Sequence, residues 1–246
     1  MYTLGISCYY HDSAASLLKD GHVIAAVEEE RFSRKKFDDS FPKLAIDWCL
    51  NDSKITPEQI DAVAFYDKPV LKLERLLDNY ISVAPRGLHS FLDVMPKWLH
   101  KRLWLKNDIQ KHLKGFSGEI IFPEHHISHA AYSFFTSPFE ESAILTVDGV
   151  GEWTTASFGT AVNDRIELTK DIRWPHSIGL FYSAFTYFLG FKVNEGEYKL
   201  MGLSSYGQPK YFDLILDELV DVKDCLLYTS DAADDTPCVD LGGRRI

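Results

Sequence analysis

Four cysteines among 246 residues, at positions 8, 49, 225 and 238, leave no CxxC pair. Neither a zinc knuckle nor a disulfide framework is suggested. Positive charge is in deficit: 26 Lys and Arg face 36 Asp and Glu, a net charge of −10, which disfavours nonspecific nucleic-acid binding. No apolar run approaches membrane-spanning length. Met1-Tyr2-Thr3 runs directly into a strand pattern, without the basic and then apolar layout of a secretion signal. These absences point to a cytoplasmic chain that engages neither nucleic acid nor membrane. What is there is an ordinary apolar fraction, 46%, with 13% aromatics, enough for one large domain or two small ones.

Apolar periodicity and turn residues predict the elements. Tyr2–Ser7 reads as a strand. Ala14–Leu18 and His22–Val27 flank Asp20-Gly21, a hairpin signal. Pro42–Leu50 has helical spacing, and Thr56-Pro57-Glu58-Gln59 has the form of a capped helix start. Ala62–Tyr66 reads as a short buried strand. Val70 to about Leu113 reads as helix interrupted at Pro85 and Pro96, with Trp98, Leu99, Leu103, Trp104 and Leu105 packing a core or a partner surface. Glu119–Phe122 is expected as strand and His125–Phe135 as helix. Ser142–Val147, Thr155–Thr160 and Ile166–Ile172 then read as three strands, followed by helices at Gly179–Leu189 and Tyr211–Val220. No sequence repeat is visible, yet the order of elements echoes itself. Two such halves make an actin/hexokinase-like α/β fold, the second half incomplete, of the kind that clamps a nucleotide.

The strongest chemical signal is Glu124-His-His-Ile-Ser-His129, followed by an apolar strand and Asp148-Gly149. His125 and His129, four apart, lie one above the other on a helix face, and Asp148 at a strand end can add a carboxylate. Two imidazoles and a carboxylate suit a divalent ion such as iron or zinc. His126 is expected to point about 100° away from that pair.

Four further runs carry weaker signals. His11-Asp12 follows the first strand; His11 can donate to a developing oxyanion or shuttle a proton, and Asp12 can orient it. Glu28-Glu-Glu-Arg31-Phe-Ser-Arg34-Lys35-Lys36 is either a phosphate grip or a solvated charge run. Asp148-Gly149-Val150-Gly151 gives a turn that phosphate can approach closely, or a plain hairpin. Asn194–Gly207 contains Lys199, which can meet phosphate, and Gly202, which leaves room for a flat ligand; a loop with a helix cap is the alternative. Lys36 and the Asp148–Gly151 turn are expected to line one phosphate-facing cleft.

Taken in order, His11-Asp-Ser-Ala, Glu28-Glu-Glu-Arg-Phe-Ser-Arg-Lys-Lys, Glu124-His-His-Ile-Ser-His-Ala-Ala, Val147-Asp-Gly-Val-Gly-Glu and Glu197-Tyr-Lys-Leu-Met-Gly-Leu resemble the nodulation-type O-carbamoyltransferases, a family that includes antibiotic carbamoyltransferases. The resemblance implies a two-step reaction. Carbamoyl phosphate and ATP become carbamoyl-adenylate in a distal domain. A domain similar to this chain and to the tRNA threonylcarbamoyl-transferring subunit then moves the carbamoyl group to a hydroxyl of a small-molecule acceptor. It also implies that His125, His129 and Asp148 hold a metal, Fe(II) by family analogy, and that His11 and Lys36 contact the carbamoyl-adenylate. Asp12, Gly149, Gly151, Lys199 and Gly202 are the further candidates for binding it. A homodimer is left open.

A sugar or acetate kinase of the same superfamily would share the phosphate loops without needing the histidine pair. A metalloprotease is excluded because position 126 is His where His-Glu-x-x-His needs Glu. A noncatalytic nucleotide- or metal-binding domain, or a nonfunctional gene fragment, is the third reading; as a partial fragment the chain is not expected to complete the full turnover. The run Cys225–Asp235 looks like translated sequencing-adapter bases. Residues 1–224 are therefore expected to form an incomplete carbamoyltransferase domain, lacking a downstream aspartate ligand and the adenylate-forming domain. Residues 225–246 are expected to be an artefactual or disordered tail that packs on nothing.

Overall fold

The computed structural model of the chain describes residues 1–223 and 226–229. It divides into two compact units. The first comprises Met1–Glu74 and Ala84–Pro123; the second comprises Arg75–Val83 and the described residues from Glu124 on.

The first unit is built on a five-stranded mixed sheet in the order β3-β2-β1-β4-β5. The strands are β1 (Tyr2–Ser7), β2 (Ala14–Lys19), β3 (His22–Glu28), β4 (Ala62–Phe65) and β5 (Glu119–Ile121). The first three form an antiparallel meander, whereas β4 runs parallel to β1 and β5 parallel to β4. Asp20 and Gly21, both at positive φ, close the β2–β3 hairpin, as the Asp-Gly pair requires. Alternation buries Leu4, Ile6, Ala15 and Leu17. Helix α1 (Glu30–Ser33) is a single turn, and α2 (Lys43–Asp52) adds Ala45, Ile46, Cys49 and Leu50 to the same core. The Thr56 start yields only a 3-10 turn, Pro57–Gln59, with its capping box in place.

The long segment after β4 is α3 (Pro69–Ser82), α4 (Leu88–His100) and α5 (Leu105–His112). The helix is interrupted around Pro85 as expected, but not at Pro96, which lies inside α4. The reason is that Pro96 comes late in a helix whose buried face carries Val94, Met95 and Trp98. Burial of that face offsets the one backbone bond that proline removes. The expected aromatic wall is split: Trp98 and Leu105 are buried, while Leu99 and Trp104 are exposed.

The second unit opens with α6 (His125–Phe135) and a three-stranded antiparallel sheet in the order β6-β7-β8: β6 (Glu141–Val147), β7 (Thr154–Val162) and β8 (Arg165–Arg173). Ala130 and Phe134 of α6 pack with Ile144 and Ala161 of this sheet. Then follow α7 (Ile178–Phe188), α8 (Glu197–Ser204), α9 (Phe212–Glu218) and a hairpin of β9 (Val220–Lys223) with β10 (Leu226–Thr229). The element order is that of the two actin/hexokinase-like halves expected, the first with its complete five-strand sheet. Two expectations need correction. Residues 197–204, assigned to no element from the sequence and with a loop and helix cap as one alternative, are helix. Leu226–Thr229, expected to pack on nothing, pair antiparallel with β9, which takes up the backbone groups on one edge of the strand. The remainder of the expected tail lies outside the described residues. Among the described residues no helix is long and apolar enough to cross a membrane.

Candidate metal centre

Helix α6 presents two adjacent stripes. One, His126-Ala130-Phe134, turns into the sheet and is buried. The neighbouring stripe carries His125 and His129 to Asp148 at the end of β6. The Nε2 of His125 lies 2.7 Å from Asp148 Oδ2 and 3.1 Å from His129 Nε2, and His129 Nε2 lies 3.8 Å from the same Oδ2. Ligand atoms each about 2.1 Å from one ion stand roughly 3.0–3.4 Å apart in octahedral or tetrahedral arrangement, and the three separations straddle that range. All the candidate ligand atoms lie within 4.8 Å of one another. The two imidazole nitrogens face each other with a carboxylate beside them, a donor set that fits a divalent transition ion. Burial raises the Asp148 pKa, but hydrogen bonding from His125 and His129 outweighs it and holds the carboxyl well below the ordinary range. The carboxylate is thus available as a ligand at neutral pH.

His126 does not join the group, as its angular position requires. It is 3% exposed, with Nδ1 2.6 Å from the Thr146 hydroxyl and 3.2 Å from that of Ser157. Burial lowers its pKa, so the ring is a neutral member of the core.

The loop bearing Asp148 is held from several sides. Asp148 Oδ1 accepts from the Gly149 N–H at 2.7 Å. The Ser177 hydroxyl donates to the Gly149 carbonyl at 2.6 Å and accepts from the Leu180 N–H at 3.0 Å, so it caps α7 and anchors the loop together. Gly149 and Gly151 both belong to this loop. A Cβ on Gly151 would sit 3.0 Å from His125 Cβ and 3.2 Å from His126 Cδ2, so the glycine is needed for the histidines to approach rather than for a phosphate turn alone. Glu152, 7% exposed, turns its carboxylate to the α6 N-terminus, where both oxygens accept from the His125 N–H, at 3.2 and 3.1 Å. Sequence reasoning did not single out Glu152 or Ser177. The contacts that tie them to the site span 27 and 28 residues; the local signal at Ser177, a serine just before a helix, marks only its cap role.

In the first unit, the His11 and Lys36 loops are stitched together by backbone bonds: Tyr9 N–H to the Asp39 carbonyl at 2.8 Å, and Ser13 N–H to the Asp38 carbonyl at 2.7 Å. Tyr9, Asp12, Arg34 and Phe37, none of them glycine, all have positive φ there, a concentration of strained backbone of the sort found at functional sites. His11 Nδ1 lies 3.0 Å from Asp12 Oδ2, the orienting contact expected. Lys36 is exposed, its Nζ 4.9 Å from the centre of the Phe37 ring.

The charge run around it is not simply solvated. Buried Glu29 accepts from the N–H groups of Leu44 and Ala45 and caps α2, and Glu30 accepts from Phe37. Lys199 and Gly202 lie on α8 rather than in a loop; both are exposed, with Lys199 Nζ 5.8 Å from the Tyr198 ring centre and nothing within 4 Å of a Cβ on Gly202. Gly202 thus leaves open space beside α8.

The family model for the carbamoyltransferase N-terminus matches residues 2–234. An uncharacterized protein of Synechocystis sp. is 52% identical over 229 residues, covering 90% of this chain and 37% of that protein. Nodulation protein NolNO of Sinorhizobium fredii is 34% identical, covering 82% of this chain and 28% of its own length. The chain thus spans about a third of the length of these curated relatives. A solved Pseudomonas aeruginosa protein with similarity to the peptidase YEAZ aligns over 69% of this chain and 63% of its own, with 11% identity and a TM-score of 0.35, too remote a likeness to carry an argument.

Proposed function

Because the chain belongs to the carbamoyltransferase N-terminus family, we propose that it serves carbamoyl transfer from carbamoyl-adenylate, made from carbamoyl phosphate and ATP, to a hydroxyl of a small-molecule acceptor. The observation that carries this reading is the convergence of His125, His129 and Asp148 on one point, a feature that phosphoryl transfer by a kinase of the same superfamily does not need. These residues would hold a divalent ion, Fe(II) by family analogy. When bound, it supplies Lewis-acid polarisation of the donor.

The chain's own residues account for the remaining tasks. In the first unit Asp12 holds His11 through Nδ1. That leaves Nε2 to take the proton of the attacking hydroxyl, with Asp12 stabilising the imidazolium formed. The Lys36 ammonium balances the phosphate charge of the departing AMP. In overall terms the acceptor oxygen bonds to the carbamoyl carbon, the bond from that carbon to the phosphate oxygen breaks, and the hydroxyl proton passes to His11. Asp148, Gly149 and Gly151 form the turn that positions the second-unit group.

The test supplies Fe(II) anaerobically, carbamoyl-adenylate generated by a separate enzyme, and a panel of polyhydroxylated acceptors. AMP release that depends on acceptor and falls in His11→Ala and His129→Ala supports the reading. ADP formed from ATP and acceptor, unaffected by His129→Ala, overturns it in favour of the kinase.

A further inference from the structure

We infer that Glu152 is the positioning residue of the histidine pair: its carboxylate ties the first turn of α6 to the loop that carries Asp148. The inference rests on the metal reading above and extends it to a residue outside the ligand set. Two sides must be kept in register for the group to exist, a helix bearing His125 and His129 and a loop bearing Asp148. Only three residues lie between Asp148 and Glu152 along the chain, yet they meet different parts of the histidine helix. Asp148 meets the histidine side chains, and Glu152 meets the backbone of His125 itself.

His125 is the first residue of α6, so its N–H has no partner within the helix. Glu124, at the cap position, makes no side-chain cap bond to the helix. The Glu152 carboxylate takes that role, and its negative charge at a helix N-terminus is favoured by the helix dipole. Glu152 is itself fixed at its backbone: the buried Arg75 Nε donates to its carbonyl at 2.6 Å, and the Arg75 guanidinium stacks 5.6 Å from the Trp174 ring centre. On the far end of the loop, Ser177 holds the Asp148 and Gly149 carbonyls. The loop is therefore a rigid bracket anchored at both ends, and the Glu152 carboxylate is the part of it that reaches the main chain of the histidine helix.

The experiment uses the whole chain with Co(II) as the probe, in wild type, Glu152→Ala, Glu152→Gln and His129→Ala. Gln keeps an acceptor oxygen and loses the charge; Ala loses both. Glu152→Ala should weaken Co(II) binding about 10- to 100-fold and alter the visible d–d spectrum of the bound ion, and Glu152→Gln should recover most of both. A metal-free arm follows amide exchange. In Glu152→Ala the amides of His125 to Ser128 should exchange faster, while those of Ala130 to Phe134 stay as protected as in wild type, which also shows that the variant folds. Wild type binding Co(II) while Glu152→Ala binds it equally, with the same spectrum and the same exchange, overturns the positioning role and leaves the metal reading intact. Wild type holding no Co(II) overturns the metal reading, and this inference with it.

Discussion

At the scale of single residues, the three histidines of α6 divide into two roles by angle alone. His125→Ala and His129→Ala should each strip the metal, measured by elemental analysis of protein purified without a histidine tag. His126 is a core residue, so its replacement is not silent. His126→Ala removes a buried ring and leaves the Thr146 and Ser157 hydroxyls short of a partner, at a cost of roughly 2–4 kcal/mol in denaturant unfolding, while metal content per folded molecule stays near wild type. Loss of metal in His126→Ala as complete as in His129→Ala would refute the division. His126 also sets a pH dependence. Its pKa is lowered by burial, so the unfolded chain binds the proton more readily than the native state. That part of the stability is present at neutral pH and declines as pH falls below the ordinary histidine value near ~6.5.

Asp38 behaves in the opposite region of the scale. Burial alone would raise its pKa, but hydrogen bonds from Ser33 and Ser40 and the Lys35 ammonium pull it down to about 2 from 3.8. A depressed carboxylate contributes stability above its unfolded pKa and loses it as pH falls through the folded value. A shift of this size corresponds to roughly 2 kcal/mol. Asp38→Asn should therefore be less stable by about that amount at pH 7, and the gap from wild type should close between about pH 4 and pH 2 in acid titrations followed by circular dichroism. Because Asp38 also braces the loop that carries Lys36, an unchanged acid profile would show that the loop is held by its backbone bonds alone.

At the scale of elements, the close approach of α7 to the Asp148 loop is the sensitive joint. Gly179, in the first turn of α7, abuts the Asp148 carbonyl so closely that an added Cβ would overlap it and the Gly149 nitrogen. Neither neighbour is a side-chain end that can swing away. Gly179→Ala should cost about 1–3 kcal/mol through overpacking and displace Asp148, so that stability and metal affinity fall together. Gly202→Ala, on α8 with nothing nearby, is the matched control and should gain up to about 1 kcal/mol from helix propensity. Thermal melts and Co(II) titrations of the two variants decide this; equal behaviour would mean that the α7 contact is not what holds Asp148.

At the scale of the whole molecule, a bound ion should appear as stability. An ion that binds only the native state contributes about 2.7 kcal/mol at a free concentration one hundred times its Kd, or a rise of roughly 5–10 °C in Tm for a chain of this size. Chelation should reverse the rise, and His129→Ala should show none. Most of the architecture behind this expectation was legible beforehand. The Tyr2–Ser7 strand, the Asp20-Gly21 hairpin, the His125–Phe135 helix and the three strands from Ser142 to Ile172 follow from period and turn chemistry, which act over a few residues. The histidine pair and Asp148 were legible for the same reason: a helix and a strand end place them without reference to anything distant.

What the amino-acid sequence by itself determined is therefore the elements and the candidate ligands. What only the tertiary structure decided is who completes them. Glu29 and Glu152 are ordinary acids in charged surroundings until folding brings each to a helix N-terminus, 15 to 27 residues away. Helical angle sets His126 apart from the pair, but only the sheet that covers its face makes it a core residue. Pro96 ends a helix by local rules, yet burial of Val94, Met95 and Trp98 carries α4 past it. Residues 197–204 take helical form although none of them is buried; the Glu197 carboxylate, accepting from the N–H groups of Asn194 and Gly196, secures the start of that helix. Except at Glu197, whose backbone partners are three and one residues away, the deciding interaction is a buried surface or a satisfied backbone group whose partner lies beyond the reach of local periodicity.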